Sequence, residues 1–476
     1  MKKKYVGNNL SAYLNLEIHS QNLDFETISE EANVDMAYLT QLFQGYTKLS
    51  YNSQLERVVN FLNLDESSIF KRDLQFEKIR NQFYDAFFYC EDEKLELYEE
   101  VMAFNDRLSC SAYSIDILLI DYVFTVTQAK DFLKMGLLST RIQNVFKLLS
   151  PYYQKLYSVF NLYYMVYFSK LDNILNCFEL AKKIRWTDNQ IEGRLYYIGF
   201  SIYRCLGDVE RAKTCFFQAK TIFKDLNNIS MLENLNMKYS SLLRSIGSIN
   251  EALLNDLNLL ESYTIKQYRI RNIKILFNNI GWTYSLLHNY KKAVIYYRKA
   301  LDNLDDNDVY FNMAYCLYKI GEDSLSRKYI QRGRKAEESN SFARPFLDWL
   351  DLMIDEKYGE ESFKVLINIK EKLYTDLEEI MRTMIQIEIV NYYYYNHMYE
   401  EAIHALQPLM GKQLISPSEL IFTKKNENRN DLLFSEDELT LRSQMMESDD
   451  LFFEDDELGE DEWEELDDSF SRFTHN

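Results

Sequence analysis

Two segments of this chain, 33 residues apart, share one spacing of small and bulky residues, and that period restricts the fold more than any other feature. In the first, Gly281, Tyr284, Ala293, Tyr297 and Ala300 fall at fixed offsets; one period later Ala314, Leu317, Ser326, Ile330 and Gly333 occupy the same places. Small residues let two antiparallel helices approach closely, and the larger side chains fill the groove between them. A pair of this kind cannot bury its apolar face alone, so neighbouring pairs must stack. Upstream, Tyr203, Gly207, Ala212, Phe216 and Ala219 form a third unit. Leu243, Gly247, Ala252 and Leu259 form a fourth, with spacings of 40 to 41 residues that imply longer helices. Weaker units are carried by Tyr393, Tyr399, Ala402 and Leu406, and by Met165, Leu171, Phe178 and Ala181. With only 13 Gly and 4 Pro in 476 residues, turns and hairpins are poorly supplied, and an all-α fold is expected.

The pattern resembles the tetratricopeptide repeat, which places a repeat domain over residues 151–410. Ahead of it, at 71–150, Leu74, Phe76, Ile79, Phe83 and Phe87 recur as one buried helical face would, giving a helical connecting region without a clear repeat. After Pro408 a polar linker is expected at 411–430, followed by an acidic tail at 431–476. That tail holds 18 Asp and Glu against 2 Lys and Arg, so it carries −16 of the net charge of −20. Self-repulsion predicts that it is disordered when free. Two readings stay open, a solubilising tail, or one whose carboxylates mimic phosphates and whose aromatics, Phe452, Phe453 and Trp463 among them, anchor it to the protein's own head or to another protein.

The six cysteines form no CxxC pair and lie mostly in apolar helical segments, so reduced core thiols are expected. The basic start is not followed by the apolar run of a signal peptide, and the longest uncharged apolar stretch, 156–169, is short of the ~20 residues a membrane span needs. A cytoplasmic protein without a membrane partner is expected. There is no Walker loop, GxGxxG, HExxH or GxSxG, and the five histidines lack metal spacing. An enzyme, a metal site and a cofactor are therefore not expected.

Residues 1–70 form a head in which 8–70 read as about five short helices, with Asp24 and Asp35 as N-caps preceding ETISEEANV and MAYLTQLFQG. The series Ile28, Ala32, Val34, Leu39, Leu42, Gly45, Val58, Leu62, Leu64 and Phe70 resembles the helix-turn-helix of phage-repressor type, the XRE or Cro/cI family. Asn33 stands in the turn, where it tolerates the left-handed conformation required. The resemblance implies that the helix from Met36 to Gln44 enters the major groove of double-stranded DNA, with Met36, Ala37, Thr40, Gln41 and Gln44 facing base edges. Lys48, Arg57 and Lys2 to Lys4 are the available phosphate partners. The head itself carries −4, which opposes DNA binding by a single copy and makes a homodimer on two half-sites the natural arrangement.

In a stacked array the first helix of each pair lines an inner face suited to an extended peptide. Two positions before the Gly281 and Ala314 sites, the best two repeats both carry asparagine, Asn279 and Asn312. An amide there can donate to a peptide carbonyl and accept from a peptide N–H. The same register adds Asn278, Trp282, Tyr315, Tyr318 and Lys319. A helix-turn-helix head joined to such an array resembles the peptide-pheromone-responsive regulators of the Rgg/PlcR/NprR/PrgX group. The resemblance implies a homodimeric transcription regulator that responds to a short signalling peptide. A regulator or scaffold acting through protein–protein contacts, with a head that does not bind DNA, is the other reading.

Overall fold

The computed structural model describes residues 3–409 apart from 45–51, 66–68, 70–71, 91, 130, 169–170, 186–187, 265–269, 302–306, 337–342 and 374–378. The expected linker and acidic tail lie outside the described residues. Within them there is helix and no strand, and no helix is long and apolar enough to cross a membrane. Contacts divide the chain into two units, one running to Ile385 and one beginning at Gln386.

The first unit starts with α1 (Lys3–Ser20), α2 (Phe25–Glu31), α3 (Met36–Gln44) and α4 (Ser53–Phe61). Asp24 caps α2 by accepting from Thr27 N at 2.7 Å, and Asn52 caps α4 by accepting from Leu55 N at 2.9 Å. Asp35 Oδ1 accepts from Ala37 N at 2.9 Å at the start of α3. Between α2 and α3, Asn33 has φ 53°, so the expected left-handed residue is present. Ile28, Val34, Leu39, Leu42, Val58 and Leu62 are buried, whereas Ala32 and Leu64 are half-buried; Gly45 and Phe70 lie outside the described residues. The head differs from five short helices in that α1 alone has 18 residues. Its length follows from a second role: the run from Asn9 to Asn15 is buried, because α1 also packs on the connecting helices.

Those helices are α5 (Leu74–Phe88), α6 (Lys94–Ala103), α7 (Asn105–Leu108), α8 (Ser114–Phe124) and α9 (Phe132–Val145), with a π-helical turn at Thr125–Ala129 and a 3-10 turn at Phe146–Leu148. The Asp116 carboxylate on α8, 1% exposed, gathers four elements. It accepts from Asn9 Nδ2 at 3.2 Å, from Arg80 at 2.9 Å and from the Tyr153 hydroxyl. At the far end of α5, Arg194 donates to the Phe87 and Phe88 carbonyls at 3.2 and 3.1 Å, and Asn228 Nδ2 donates to Phe88 O at 2.8 Å.

Six helix pairs follow: α10 (Pro151–Phe168) with α11 (Leu171–Lys183), α12 (Asn189–Cys205) with α13 (Val209–Asp225), α14 (Ile229–Ser245) with α15 (Ile249–Thr264), α16 (Ile270–Leu286) with α17 (Tyr290–Leu301), α18 (Asn307–Lys319) with α19 (Asp323–Lys335), and α20 (Ala343–Asp355) with α21 (Glu360–Leu373). Gly281 shows why small residues recur, since a Cβ there would stand 2.9 Å from the Tyr297 ring. The α20–α21 pair does not show the period because Leu350 and Trp349 fill its first helix; Tyr358, at φ 56°, stands where the α12, α14 and α18 pairs have glycine. One apolar core runs unbroken from Leu10 to Ala252. In the second unit, which takes the later part of α22 (Glu379–Tyr395) and all of α23 (Tyr399–Leu406), Ile387 and Val390 pack with Leu409, and Gln386 donates to Ala405 O at 2.7 Å.

The thiols correct the expectation of core cysteines. Cys215 and Cys316 are buried, but Cys110 and Cys205 are exposed and Cys90 and Cys177 lie between; all six are free. Cys110 follows α7, where the chain turns at the surface, and Cys205 is the last residue of α12.

Replacing Asp116 with alanine leaves the Arg80 guanidinium without its counter-charge and the Tyr153 hydroxyl without its acceptor. We expect a loss of about 3 kcal/mol, read as a shift of the urea midpoint. A change below about 0.5 kcal/mol, the range of an ordinary surface substitution, would show that the carboxylate does not hold these helices together.

Candidate polar row on the first helices

The backbone supplies its own register for comparing helix pairs. Each of the turns after α12, α14, α16, α18 and α20 contains one left-handed residue: Gly207 (φ 72°), Gly247 (81°), His288 (58°), Gly321 (87°) and Tyr358 (56°). Such a residue terminates a helix because its conformation turns the next N–H back onto a free carbonyl. Nine positions before each lie Ile198, Lys238, Asn279, Asn312 and Trp349. Successive first helices α14, α16, α18 and α20 pack against one another, so equivalent positions form a row across them. Ile198 and Trp349, at 4% and 1% exposed, are core residues. Between them Lys238, Asn279 and Asn312 are half-buried.

The side-chain amides of Asn279 and Asn312 make no hydrogen bond among the described residues. The Asn279 carbonyl does, accepting from Thr283 Oγ1 at 2.8 Å. Asn278 is half-buried and its Oδ1 is buried without a hydrogen-bond partner among the described residues. Trp282 is half-buried. Tyr315 lies between Phe311 and Trp349, with ring centroids 6.0 and 6.3 Å away, and the Lys319 ammonium sits 5.0 Å from the Tyr315 centroid. Tyr315 thus joins one pair to the next, and Lys319 is drawn over its π face. Tyr318 is half-buried, with its hydroxyl turned inward.

Two features beside this row were not anticipated. Lys238 donates to Ser201 Oγ at 3.2 Å and lies 4.8 Å from the Tyr197 ring centroid. Burial and the neighbouring Arg204 charge lower its pKa to about 8. The second is an ion pair, Arg244 to Asp256 at 2.9 Å, with both side chains buried. Arg244 also donates to Thr283 Oγ1 at 3.0 Å, directly behind the Asn279 carbonyl. Burial holds the Asp256 carboxyl above its usual range, against the opposing pull of Arg244. The 40–41 residue spacing places Gly247 with the later turns, but neither partner set could be read from it, because Ser201 and Tyr197 lie on another helix and Thr283 on another pair.

In the head, Met36, Ala37 and Gln41 are exposed on α3 and Thr40 is half-buried, its hydroxyl donating to Met36 O at 2.8 Å. That bond leaves Thr40 less free to face a base than its position implied. Gln44 ends α3, its side chain outside what is described, and Lys48 lies outside the described residues. Arg57 donates to Asn33 O at 2.7 Å, so its guanidinium braces the α2–α3 turn. Among the described residues no group of three or more His, Cys, Asp or Glu side chains is placed to hold a metal.

Taken together these elements make an α-solenoid of tetratricopeptide-like helix pairs behind a helical head. The fold is similar to those of the quorum sensor NprR and of a Rap protein. The apo form of the quorum sensor NprR from B. thuringiensis superposes with a TM-score of 0.54 at 17% identity, covering 70% of this chain and 97% of that one. NprR in complex with its cognate peptide NprX gives 0.50 at 18%, covering 71% and 98%. A Rap protein complexed with Competence and Sporulation Factor gives 0.56 at 14%, covering 72% and 98%. By sequence, Protein POLLENLESS 3 of Arabidopsis thaliana is 28% identical over 120 residues, and the chain spans only 27% of that relative. No family model matches.

The geometry separates residues that hold the fold from residues that do not. Asn279→Ala and Asn312→Ala should each leave the urea midpoint within about 0.5 kcal/mol of the parent, as surface substitutions do. Thr283→Val removes an acceptor from a buried guanidinium and should cost about 1 to 3 kcal/mol. Equal destabilisation by all three would mean that the asparagine amides are structural.

Proposed function

We propose that this chain is a cytoplasmic, DNA-binding transcriptional regulator whose repeat domain senses a short signalling peptide. The observation that carries the reading is the pair Asn279 and Asn312: equivalent positions on adjacent first helices, both half-buried, with neither amide hydrogen-bonded among the described residues. Two amides presented at one repeat interval suit an extended backbone, which offers donors and acceptors at regular intervals whatever its side chains. Asn278, Trp282, Tyr315, Tyr318 and Lys319 complete the site, with the aromatics as walls. The likeness to NprR, whose structure holds its cognate peptide NprX, supports the same use of the fold.

For the head, the left-handed Asn33 turn, the two aspartate-started helices and the exposed Met36, Ala37 and Gln41 support a helix-turn-helix that reads double-stranded DNA. A homodimer doubles the phosphate contacts that one head of charge −4 cannot supply. That charge, and the use of Arg57 inside the α2–α3 turn, favour the second reading, a regulator that works through protein–protein contacts with a head that leaves DNA alone.

Calorimetry against peptides from the host's secreted fraction tests the first half. Asn279→Ala or Asn312→Ala should weaken binding about five- to a hundredfold, the loss expected when a peptide group is left unpaired. A bound peptide indifferent to both changes would place the site elsewhere. A genomic binding screen tests the second half: an enriched two-fold site is expected, with its base preference relaxed by Gln41→Ala. Absence of any enriched site would establish the protein-contact reading instead.

A further inference from the structure

The row that holds the two asparagines begins with a cation. Lys238 occupies on α14 the place that Asn279 and Asn312 occupy on α16 and α18. Beside it on α12, Arg204 donates to Ser241 Oγ at 2.9 Å, as Lys238 does to Ser201 Oγ at 3.2 Å. Both cations are therefore bonded to neutral hydroxyls across the α12–α14 junction. Neither has a carboxylate partner among the described residues, in a chain where Asp and Glu outnumber Lys and Arg by 74 to 54. Both are half-buried, so each has lost part of its hydration and still has an open side. Two like charges held together in a partly desolvated place repel, and an anion between them relieves that cost.

We propose that Lys238 and Arg204 form a carboxylate-binding subsite at one end of the row, taking a carboxylate of the same peptide whose backbone lies on Asn279 and Asn312. This rests on the peptide-binding reading above and adds to it the chemistry and the direction of the ligand. Packed helices stand about 8 to 10 Å apart, so the row from α14 to α18 spans roughly 16 to 20 Å, about five or six residues of extended chain. The buried Ile198 and Trp349 close the row at its two ends. The carboxylate is either the peptide's free C-terminus or an Asp or Glu side chain.

Small probes separate the two sources and need no knowledge of the natural ligand. Acetyl-triglycine as free acid, acetyl-triglycine amide and acetyl-Gly-Asp-Gly amide are added in turn to the full-length protein. Acylation of Lys238 by N-hydroxysuccinimidyl acetate is then followed by peptide mass spectrometry, with the exposed Lys364 as internal control. Lys238 suits this readout because a lysine with its pKa lowered to about 8 keeps more free amine near neutral pH than an ordinary one. Saturating free acid should slow Lys238 acylation about tenfold or more while Lys364 is unaffected, and the triglycine amide should do nothing. Protection by the aspartyl probe as well assigns the subsite to any carboxylate; protection by the free acid alone assigns it to a C-terminus. Arg204→Met should abolish the protection and Arg204→Lys restore it.

Equal protection by the acid and its amide, or no protection by either carboxylate, overturns the proposal. The experiment also stays separate from the peptide-binding reading. If a secreted peptide binds and depends on Asn279 and Asn312 but ignores Lys238→Met and Arg204→Met, the subsite is wrong and the peptide site stands. If the subsite is right, each of these changes weakens that peptide about ten- to a hundredfold, the range for a hydrogen bond to a charged group.

Discussion

The buried carboxylate of Asp116 is the interaction on which the arrangement of the first unit depends. A charge removed from water is costly unless it is paired and hydrogen-bonded, and here the partners come from three other elements: Asn9 on α1, Arg80 on α5 and Tyr153 on α10. Burial pushes the Asp116 carboxyl above its usual range, and Arg80 and the hydrogen bonds pull it back. None of the four helices can shift without leaving a polar group unsatisfied. Through Asn9 the first helix of the head becomes part of the foundation of the solenoid, which is why its middle is buried and why one apolar core extends from Leu10 to Ala252.

Beyond that foundation the stack is built by a simpler rule. On the second helix of each pair, buried residues recur with spacings of four and three: Ala212, Phe216 and Ala219; Ala293, Tyr297 and Ala300; Ser326, Ile330 and Gly333; Ser362, Leu366 and Ile369. The central member is a large apolar group in each of these. In α15 the same set is Ala252, Asp256 and Leu259, so a carboxylate stands at the centre and must recruit Arg244. A buried ion pair rarely stabilises a fold more than the apolar side chains it displaces. This departure occurs in the pair that contributes Lys238, and Arg244 reaches Thr283 behind Asn279, so the polar exception and the polar row belong to one part of the molecule.

What the sequence made legible follows the physics of each element. Helix pairs with small residues at their crossing, such as Gly281 over Tyr297, announce themselves by period. The pair α20–α21 does not, because bulky Leu350 and Trp349 pack it by filling space instead of by close approach, and a left-handed Tyr358 hides the turn that Gly321 reveals. Asn33 was readable as a left-handed turn because asparagine tolerates that conformation. The length of α1 was not, since its buried middle reflects partners more than 100 residues away, Asp116 among them. In the same way Asn279 and Asn312 were visible as a repeated polar residue, whereas Lys238 was hidden by a longer period and by lysine's usual place at the surface. The partners that set its character, Ser201, Tyr197 and Arg204, belong to a different helix pair.

The polar row and the head are joined by an unbroken series of contacts. Lys238 lies on α14, whose N-cap Asn228 donates to Phe88 O at the end of α5; Arg194 of α12 holds the same end of α5 through Phe87 O and Phe88 O. Two turns back along α5, Arg80 pairs with Asp116, and Asp116 accepts from Asn9 of the head. Connection of this kind is a route, and coupling needs in addition an element with two arrangements that a ligand distinguishes. A ligand can shift the head only by as much as it prefers one placement of α12 and α14 against α5 over another. The Phe87 and Phe88 carbonyls are shared between Arg194 of α12 and Asn228 of α14, the same two helices that meet at Lys238 and Arg204. The helices that carry Lys238 and Arg204 are therefore the ones that also hold the end of α5, and α5 reaches the head through Arg80 and Asp116.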